Sequence, residues 1–259
     1  MTAPTPTALL SGKTVIVTGA GGGVGRGIAL ACGEAGAHIV VASRRENGVE
    51  VVDEITPRGG TASWSQCDVA DRDSVAGTVA HAVERTGGLH AVVHNATSNR
   101  SSEPHRLEDV SLELFNEHAA VSLRGAYHCA RAARHALEAS HGTLLVLTSP
   151  AGIEGSATLP MYATMKGALR GFAKSLAREW APFGITVNVV SPLAFSPAMV
   201  NAIAEDPAME GRLNRRVPLG RVGDPETDVG RGVAFLVSAD AGYITGQTLG
   251  VDGGHFMGI

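Results

Sequence analysis

A glycine-rich turn between a strand and a helix constrains this chain more than any other feature. Residues 13–17 read Lys-Thr-Val-Ile-Val, a short buried strand, and run directly into Thr18-Gly19-Ala20-Gly21-Gly22-Gly23-Val24-Gly25. Ile28-Ala29-Leu30-Ala31 then continues as a helix. In this context glycines let the backbone approach a pyrophosphate, and the helix N-terminus offers free N–H groups and partial positive charge. A turn without a ligand is the plainer alternative, and the flanking strand and helix argue against it. A second strand, His38-Ile39-Val40-Val41-Ala42, ends at Ser43-Arg44-Arg45. A carboxylate there would bond the ribose 2′-hydroxyl of NAD, whereas arginine accommodates a 2′-phosphate. The expected cofactor is therefore NADP(H) in preference, with NAD(H) possible. The other reading is that two arginines merely open a solvated helix.

No linker or repeat divides the rest of the chain. Strand-like runs at 14–18, 38–43, 62–66, 91–94, 143–147, 186–190 and 248–251 alternate with helical ones. That alternation predicts an α/β fold: a single-domain, Rossmann-like, doubly wound parallel sheet of seven strands with helices on both faces. Residues 1–10 are Thr/Pro/Ala-rich without a basic n-region, and read as a disordered tail rather than a signal peptide. Residues 11–259 then form the nucleotide-binding domain. Within it, 193–217 is the longest segment between late elements. Its two prolines and Glu205-Asp206-Pro207 predict a helical substrate lid with a mobile hinge.

Composition narrows the partners. Hydrophobic residues make up 44% and charged residues 18% of 259, as in a well-buried globular domain. A net charge of −4 gives no electrostatic case for nucleic acid. No apolar run reaches the length of a membrane span. Cys32, Cys67 and Cys129 are scattered and odd in number, which suits the reduced core of a cytoplasmic protein. The ten histidines show no ligand spacing, so no metal is expected.

Tyr162 and Lys166 stand four residues apart, on one face of any helix that holds them, and Ser149 lies upstream. An ammonium beside a phenol favours phenolate, so the tyrosine pKa is expected to fall toward the range useful for proton transfer. Tyr-x-x-x-Lys alone is common on surface helices, and a strand-end serine commonly bonds backbone. Their joint presence behind a dinucleotide turn favours catalysis.

Taken together, these segments resemble the short-chain dehydrogenase/reductase family, in its common single-domain branch. The likeness runs from about residue 10 to residue 254. Thr18-Gly19-x-x-x-Gly23-x-Gly25 resembles the family's cofactor turn, with Val24 inside it. Cys67-Asp68-Val69 resembles its adenine-contacting segment, and His94-Asn95-Ala96-Thr97 its Asn-Asn-Ala-Gly strand end. Ser149, Tyr162 and Lys166 match its catalytic positions. Asn188-Val189-Val190-Ser191-Pro192 resembles the strand leading to the nicotinamide. Val217-Pro218-Leu219-Gly220-Arg221 and the region from Ile244 to Gly254 resemble its C-terminal signatures. The resemblance implies carbonyl–alcohol interconversion on a small molecule, with Tyr162 as acid/base. Lys166 would hold the nicotinamide ribose, and Ser149 would orient the carbonyl. Thr18, Gly19, Gly23, Val24, Gly25, Ser43, Arg44, Arg45, Asp68, Val69, Asn95, Ala96, Pro192 and Phe195 would join Tyr162 and Lys166 around the cofactor.

The chain departs from the family at several places. Ser122 stands where the family has a catalytic asparagine that helps hold a relay water, and a serine hydroxyl is shorter. His94 and Thr97 replace the first Asn and the Gly of the strand-end motif, Leu193 replaces a glycine, and Pro197 a threonine. These changes keep open a second reading, a cofactor-binding protein with little catalysis. A third reading, an enoyl-type reductase, is disfavoured because that branch spaces its tyrosine and lysine more widely. Ile153, Leu159 and Met199, with Phe195 and Met209, are the expected apolar substrate lining. Arg212, Arg215 and Arg216 either meet an anionic group or sit on a solvated helix. By resemblance, the small-residue helix 162–182 and the helix 112–138 would form the contacts of a homotetramer or homodimer.

Overall fold

The computed structural model describes residues 8–258. Its strands are β1 Thr14–Thr18, β2 His38–Ser43, β3 Thr61–Gln66, β4 Ala91–His94, β5 Thr143–Leu147, β6 Thr186–Pro192 and β7 Thr248–Val251. The α-helices are α1 Gly23–Glu34, α2 Asn47–Ile55, α3 Arg72–Thr86, α4 Leu112–His118, α5 Gly125–Ser140, α6 Ala151–Glu154, α7 Pro160–Trp180, α8 Pro197–Glu205, α9 Ala208–Arg216 and α10 Arg231–Leu236. All seven strands run parallel in one sheet, ordered β3-β2-β1-β4-β5-β6-β7.

Each central strand is buried on both faces, and its side chains alternate between two cores. Val15, Val17, Ile39, Val41, Val93 and Leu145 pack with residues of α1, α2 and α10 on one face. Ile16, Val40, Val92, Leu144 and Val146 pack with α3, α5 and α7 on the other. Cys32 lies in the first core and Cys67 and Cys129 in the second, all three free and buried. The strand order reverses between β1 and β4, the switch point at which a doubly wound sheet opens a crevice at its strand C-termini.

The sheet matches the expected one, with β3 starting one residue earlier and β6 reaching Pro192. The helix expected over 162–182 starts at Pro160, whose fixed φ and missing N–H suit a first helical position. The helix expected over 112–138 is not uniform. Ser111 caps α4 by accepting from Leu114 N (3.1 Å), and a π-helical turn, Ala119–Arg124, then joins α4 to α5. The segment 193–217 is indeed helical, as α8 and α9. The tail expected over 1–10 is too long. Leu10 is fully buried and donates its N–H to Ala35 O (2.8 Å), and residues 1–7 lie outside those described.

Asn188, fully buried in β6, fastens β7 to the sheet. Its Nδ2 donates to Ile244 O (2.7 Å) and its Oδ1 accepts from Gln247 N (3.0 Å). Replacing it with leucine strands both backbone groups, each at about 1–3 kcal/mol. Asn188→Leu is therefore expected to lose about 3 kcal/mol in urea unfolding, and a loss within error of zero would show that this fastening is redundant.

Candidate active site

A cleft of about 680 Å³ opens along the C-terminal ends of the strands. On one side lies the glycine turn. Gly19 sits at φ 65°, and a Cβ there would stand 3.0 Å from Ala96 Cα. A Cβ on Gly25 would fall 2.4 Å from Gly19 O, so only glycine lets α1 press back on the turn. Asn95 Nδ2 donates to the carbonyls of Thr18 (3.1 Å) and Gly19 (3.3 Å), which fixes the turn's curvature. The α1 N-terminus has no side-chain cap, so its first N–H groups remain for an anion. The backbone cradle and the length of the lining suit a dinucleotide.

The cleft then passes Ser43, Arg44, Arg45, Asp68 and Val69. Arg44 and Arg45 are exposed beside it. Ser43 is buried, and its hydroxyl donates to Arg45 O (2.7 Å) and accepts from Trp64 Nε1 (2.9 Å). Its proton is thus committed within the protein, leaving the arginines as the charged donors there. Asp68 accepts from Ala70 N (2.9 Å). Asn47, which sequence reasoning missed, also lines the cleft and donates to Gly21 O (2.8 Å). Nothing local marks it, because its partner lies 26 residues away.

At the switch point His94 is enclosed. Thr18 Oγ1 accepts from Asn95 N (3.1 Å) and Ala96 N (3.2 Å), so its own proton points to His94 Nδ1 (3.3 Å). The proton of the ring therefore sits on Nε2, which donates to Ser122 O (2.9 Å). Burial, aided by the Lys166 charge, pushes the His94 pKa down to about 3, and the ring is neutral. Ser122 does not reach the cleft as expected. Its hydroxyl is buried without a partner, and the π-helical turn presents Val121 to the cleft instead.

Tyr162 and Lys166 do share one wall of the cleft. Lys166 is buried and donates from Nζ to Leu147 O (2.8 Å), while Thr148 Oγ1 donates to Lys166 O (2.7 Å). Gly152 of α6 lets this stretch of α7 come close, since a Cβ there would lie 2.6 Å from Lys166 C. Lys166 Nζ stands 5.7 Å from the Tyr162 ring centre. The expected fall of the tyrosine pKa is not what the geometry produces. Burial raises it, a bond from the Ser149 hydroxyl opposes the rise, and Lys166 instead spends its ammonium on Leu147. Ser149 also accepts from Ala151 N (3.3 Å).

Leu159, Met199, Asn95, Ala96, Gly23, Val24 and Pro192 line the cleft, whereas Thr18, Gly25, Ser149, Ile153 and Phe195 are not among its lining residues. The bridge between Ala194 and Gly223, with Phe195 N donating to Gly223 O (3.1 Å), turns Phe195 to a neighbouring hollow beside Arg26 and Pro225. Gly152 faces α7, so Ile153, one helical step on, is carried away from the cleft. Met209 also lies outside it, and Arg212 pairs with Asp206 (2.5 Å).

Comparison with known proteins places this geometry. A family model described as Enoyl-(Acyl carrier protein) reductase matches residues 19–255. The chain is 34% identical over 248 residues to the 3-oxoacyl-(acyl-carrier-protein) reductase FabG of Staphylococcus aureus (strain Mu50), covering 95% of this chain and 98% of that protein. A 7α-hydroxysteroid dehydrogenase complexed with NADH and 7-oxo glycochenodeoxycholic acid superimposes with a TM-score of 0.88 at 28% identity, over 96% of both chains. A gluconate 5-dehydrogenase from Burkholderia cenocepacia J2315, in complex with NADP and tartrate, does so at 0.86 and 30% identity, over 96% of this chain and 97% of that one.

Burial also lowers the Lys166 pKa, from 10.5 to about 8. Below pH 8 both folded and unfolded chains carry this charge, and the folded one bears the desolvation cost. Between pH 8 and 10.5 the unfolded chain binds the extra proton, so stability from this group rises with pH. The stability of Lys166→Met relative to the parent is therefore expected to fall by about 2 kcal/mol between pH 7 and pH 10 in urea unfolding. A difference that stays flat with pH would mean the lysine titrates normally.

Proposed function

The chain belongs to the short-chain dehydrogenase/reductase family and is an NAD(P)-dependent oxidoreductase, and from that premise we propose that it interconverts a ketone or aldehyde and its alcohol with NADP(H), Tyr162 acting as acid and base. One observation carries the chemistry: Tyr162 and Lys166 stand in one wall of a cleft whose far end is the glycine turn. When bound, the nicotinamide supplies the hydride. Tyr162, a protonated phenol because it is buried, gives its proton to the carbonyl oxygen as charge builds there, and recovers it in the reverse direction. Ser149 bonds the same oxygen and orients it. Lys166, anchored on Leu147 O, holds the ribose and places positive charge near the phenol.

Preference for NADP(H) rests on Arg44 and Arg45, exposed beside the cleft where no carboxylate of β2 competes. Leu159 and Met199 offer the substrate an apolar surface, with α8 and α9 as its lid. The four-residue spacing of Tyr162 and Lys166 favours carbonyl over enoyl reduction. Gly171 on α7 leaves open space where a Cβ would stand, which suits packing against another copy in a homotetramer or homodimer. The expected setting is cytoplasmic. The unpartnered hydroxyl of Ser122 favours the second reading, cofactor binding with little catalysis. Tight NADPH binding without turnover across a panel of ketones would select that reading.

Tyr162→Phe is expected to lower kcat by about 10²–10⁴ while NADPH binding is unchanged. A variant that keeps most of its turnover would remove Tyr162 from the mechanism. Arg44→Ala is expected to lower kcat/KM about tenfold or more with NADPH and hardly at all with NADH, because only the 2′-phosphate loses a charge-assisted bond. Equal losses with both cofactors would place the 2′-phosphate elsewhere.

A further inference from the structure

Behind the wall that carries Tyr162 lies a second, smaller hollow. Glu103, His105, Leu114 and His118 line it, and Ser101, Leu159 and Tyr162 border both it and the main cleft. Its volume is about 10 Å³, room for a single water molecule. Two imidazole nitrogens, His105 Nε2 and His118 Nδ1, are buried without a hydrogen-bond partner. His118 is only 2% exposed, at the C-terminal end of α4. Unpaired buried nitrogens are costly, and two at the border of one water-sized hollow point to a shared partner there.

The hollow also reaches solvent. Glu103 Oε2 stands 3.6 Å from His105 Nε2, and Arg100 Nε donates to that same oxygen (2.9 Å). The Glu103 side chain is 48% exposed. The loop is fixed, since His105 N donates to Thr158 O (2.8 Å), just ahead of α7. A carboxylate and two imidazoles thus line one hollow that Tyr162 also borders, with the carboxylate at the solvent side.

We infer that a water held by His105 and His118 passes protons between solvent and Tyr162, with Glu103 as the outer station. Each carbonyl reduced removes one proton from Tyr162, and one proton moving inward along this path replaces it; alcohol oxidation sends one outward. No bond other than O–H and N–H changes, and no further reactant is needed. The charged and titratable groups that face His118 are Glu117 on its own helix and Arg100, Glu103 and His105 on the loop, with Tyr162 across the hollow. Burial holds the His118 pKa below its ordinary value, so the neutral ring is favoured at pH 7. Neither histidine belongs to the catalytic positions argued above, and the path bypasses the unpartnered hydroxyl of Ser122.

This inference rests on the assignment of Tyr162 as acid, so Tyr162→Phe is assayed alongside. The test is the pH profile of kcat from pH 6 to 9 and the solvent deuterium isotope effect on ketone reduction, for His118→Gln, His118→Leu and His105→Gln. Glutamine keeps the hydrogen bond but cannot exchange a proton. All three variants are expected to lose about tenfold in kcat, a part of what a directly placed acid contributes, with unchanged KM for NADPH and a larger isotope effect. Added imidazole is expected to restore much of the rate. If either His118 variant fails to fold, His105→Gln, at the outer end, decides by the same readouts. Parental kcat profiles in the histidine variants, with Tyr162→Phe inactive, would overturn the relay alone. A loss that leaves profile and isotope effect unmoved, and that imidazole does not repair, would also overturn it. An active Tyr162→Phe would instead overturn the proposed function.

Discussion

Where β1 and β4 end, the chain leaves for opposite faces of the sheet, and the backbone groups at the two strand ends lose their ladder partners. Each must be satisfied some other way, since a buried orphan costs as much as several good contacts supply. Thr18 and Asn95 answer this requirement. One hydroxyl collects two N–H groups and gives its proton to His94, and one amide bonds two carbonyls of the glycine turn. The turn's curvature and the uncapped start of α1 follow from that exchange. So does the tautomer of His94, which carries the same constraint across to the π-helical turn at Ser122.

The second organising effect is desolvation. Bringing Lys166 and Tyr162 to a cleft wall takes both from water, and each responds by favouring its neutral form. An ammonium four residues from a phenol therefore does not settle the phenol's ionisation. Lys166 turns to Leu147 O, and Ser149 is the group that eases Tyr162 toward the anion.

Much of the fold was legible because a strand buried on both faces, such as Thr14–Thr18 or Thr143–Leu147, is written as an unbroken apolar run. The glycine turn and the Tyr162–Lys166 spacing were legible because each is local. What escaped depends on contacts distant in the chain. Phe195 is displaced by a bridge to Gly223, Asn47 meets Gly21 across 26 residues, and the π-helical turn that withdraws Ser122 has no local signature. The sequence displays only the neighbouring charge at Tyr162, whereas burial, a tertiary quantity, sets the direction of its shift. Leu9-Leu10 after a Thr/Pro run reads as solvated tail, and only packing against α1 and β2 buries the second of the two.

The bridge between Ala194 and Gly223 has a consequence for how such a chain diversifies. Leu193 N donates to Val251 O and Gly223 N to Leu193 O, so both ends of the excursion that carries α8 and α9 are pinned at one place beside β6 and β7. A segment tethered at two adjacent points resembles a removable cassette. Its length and lining can be exchanged while the sheet, the turn and the tyrosine–lysine helix keep their positions, because the strain of any change ends at the clasp. The part of the cleft lining that Met199 supplies can thus vary apart from the wall that holds Tyr162 and Lys166.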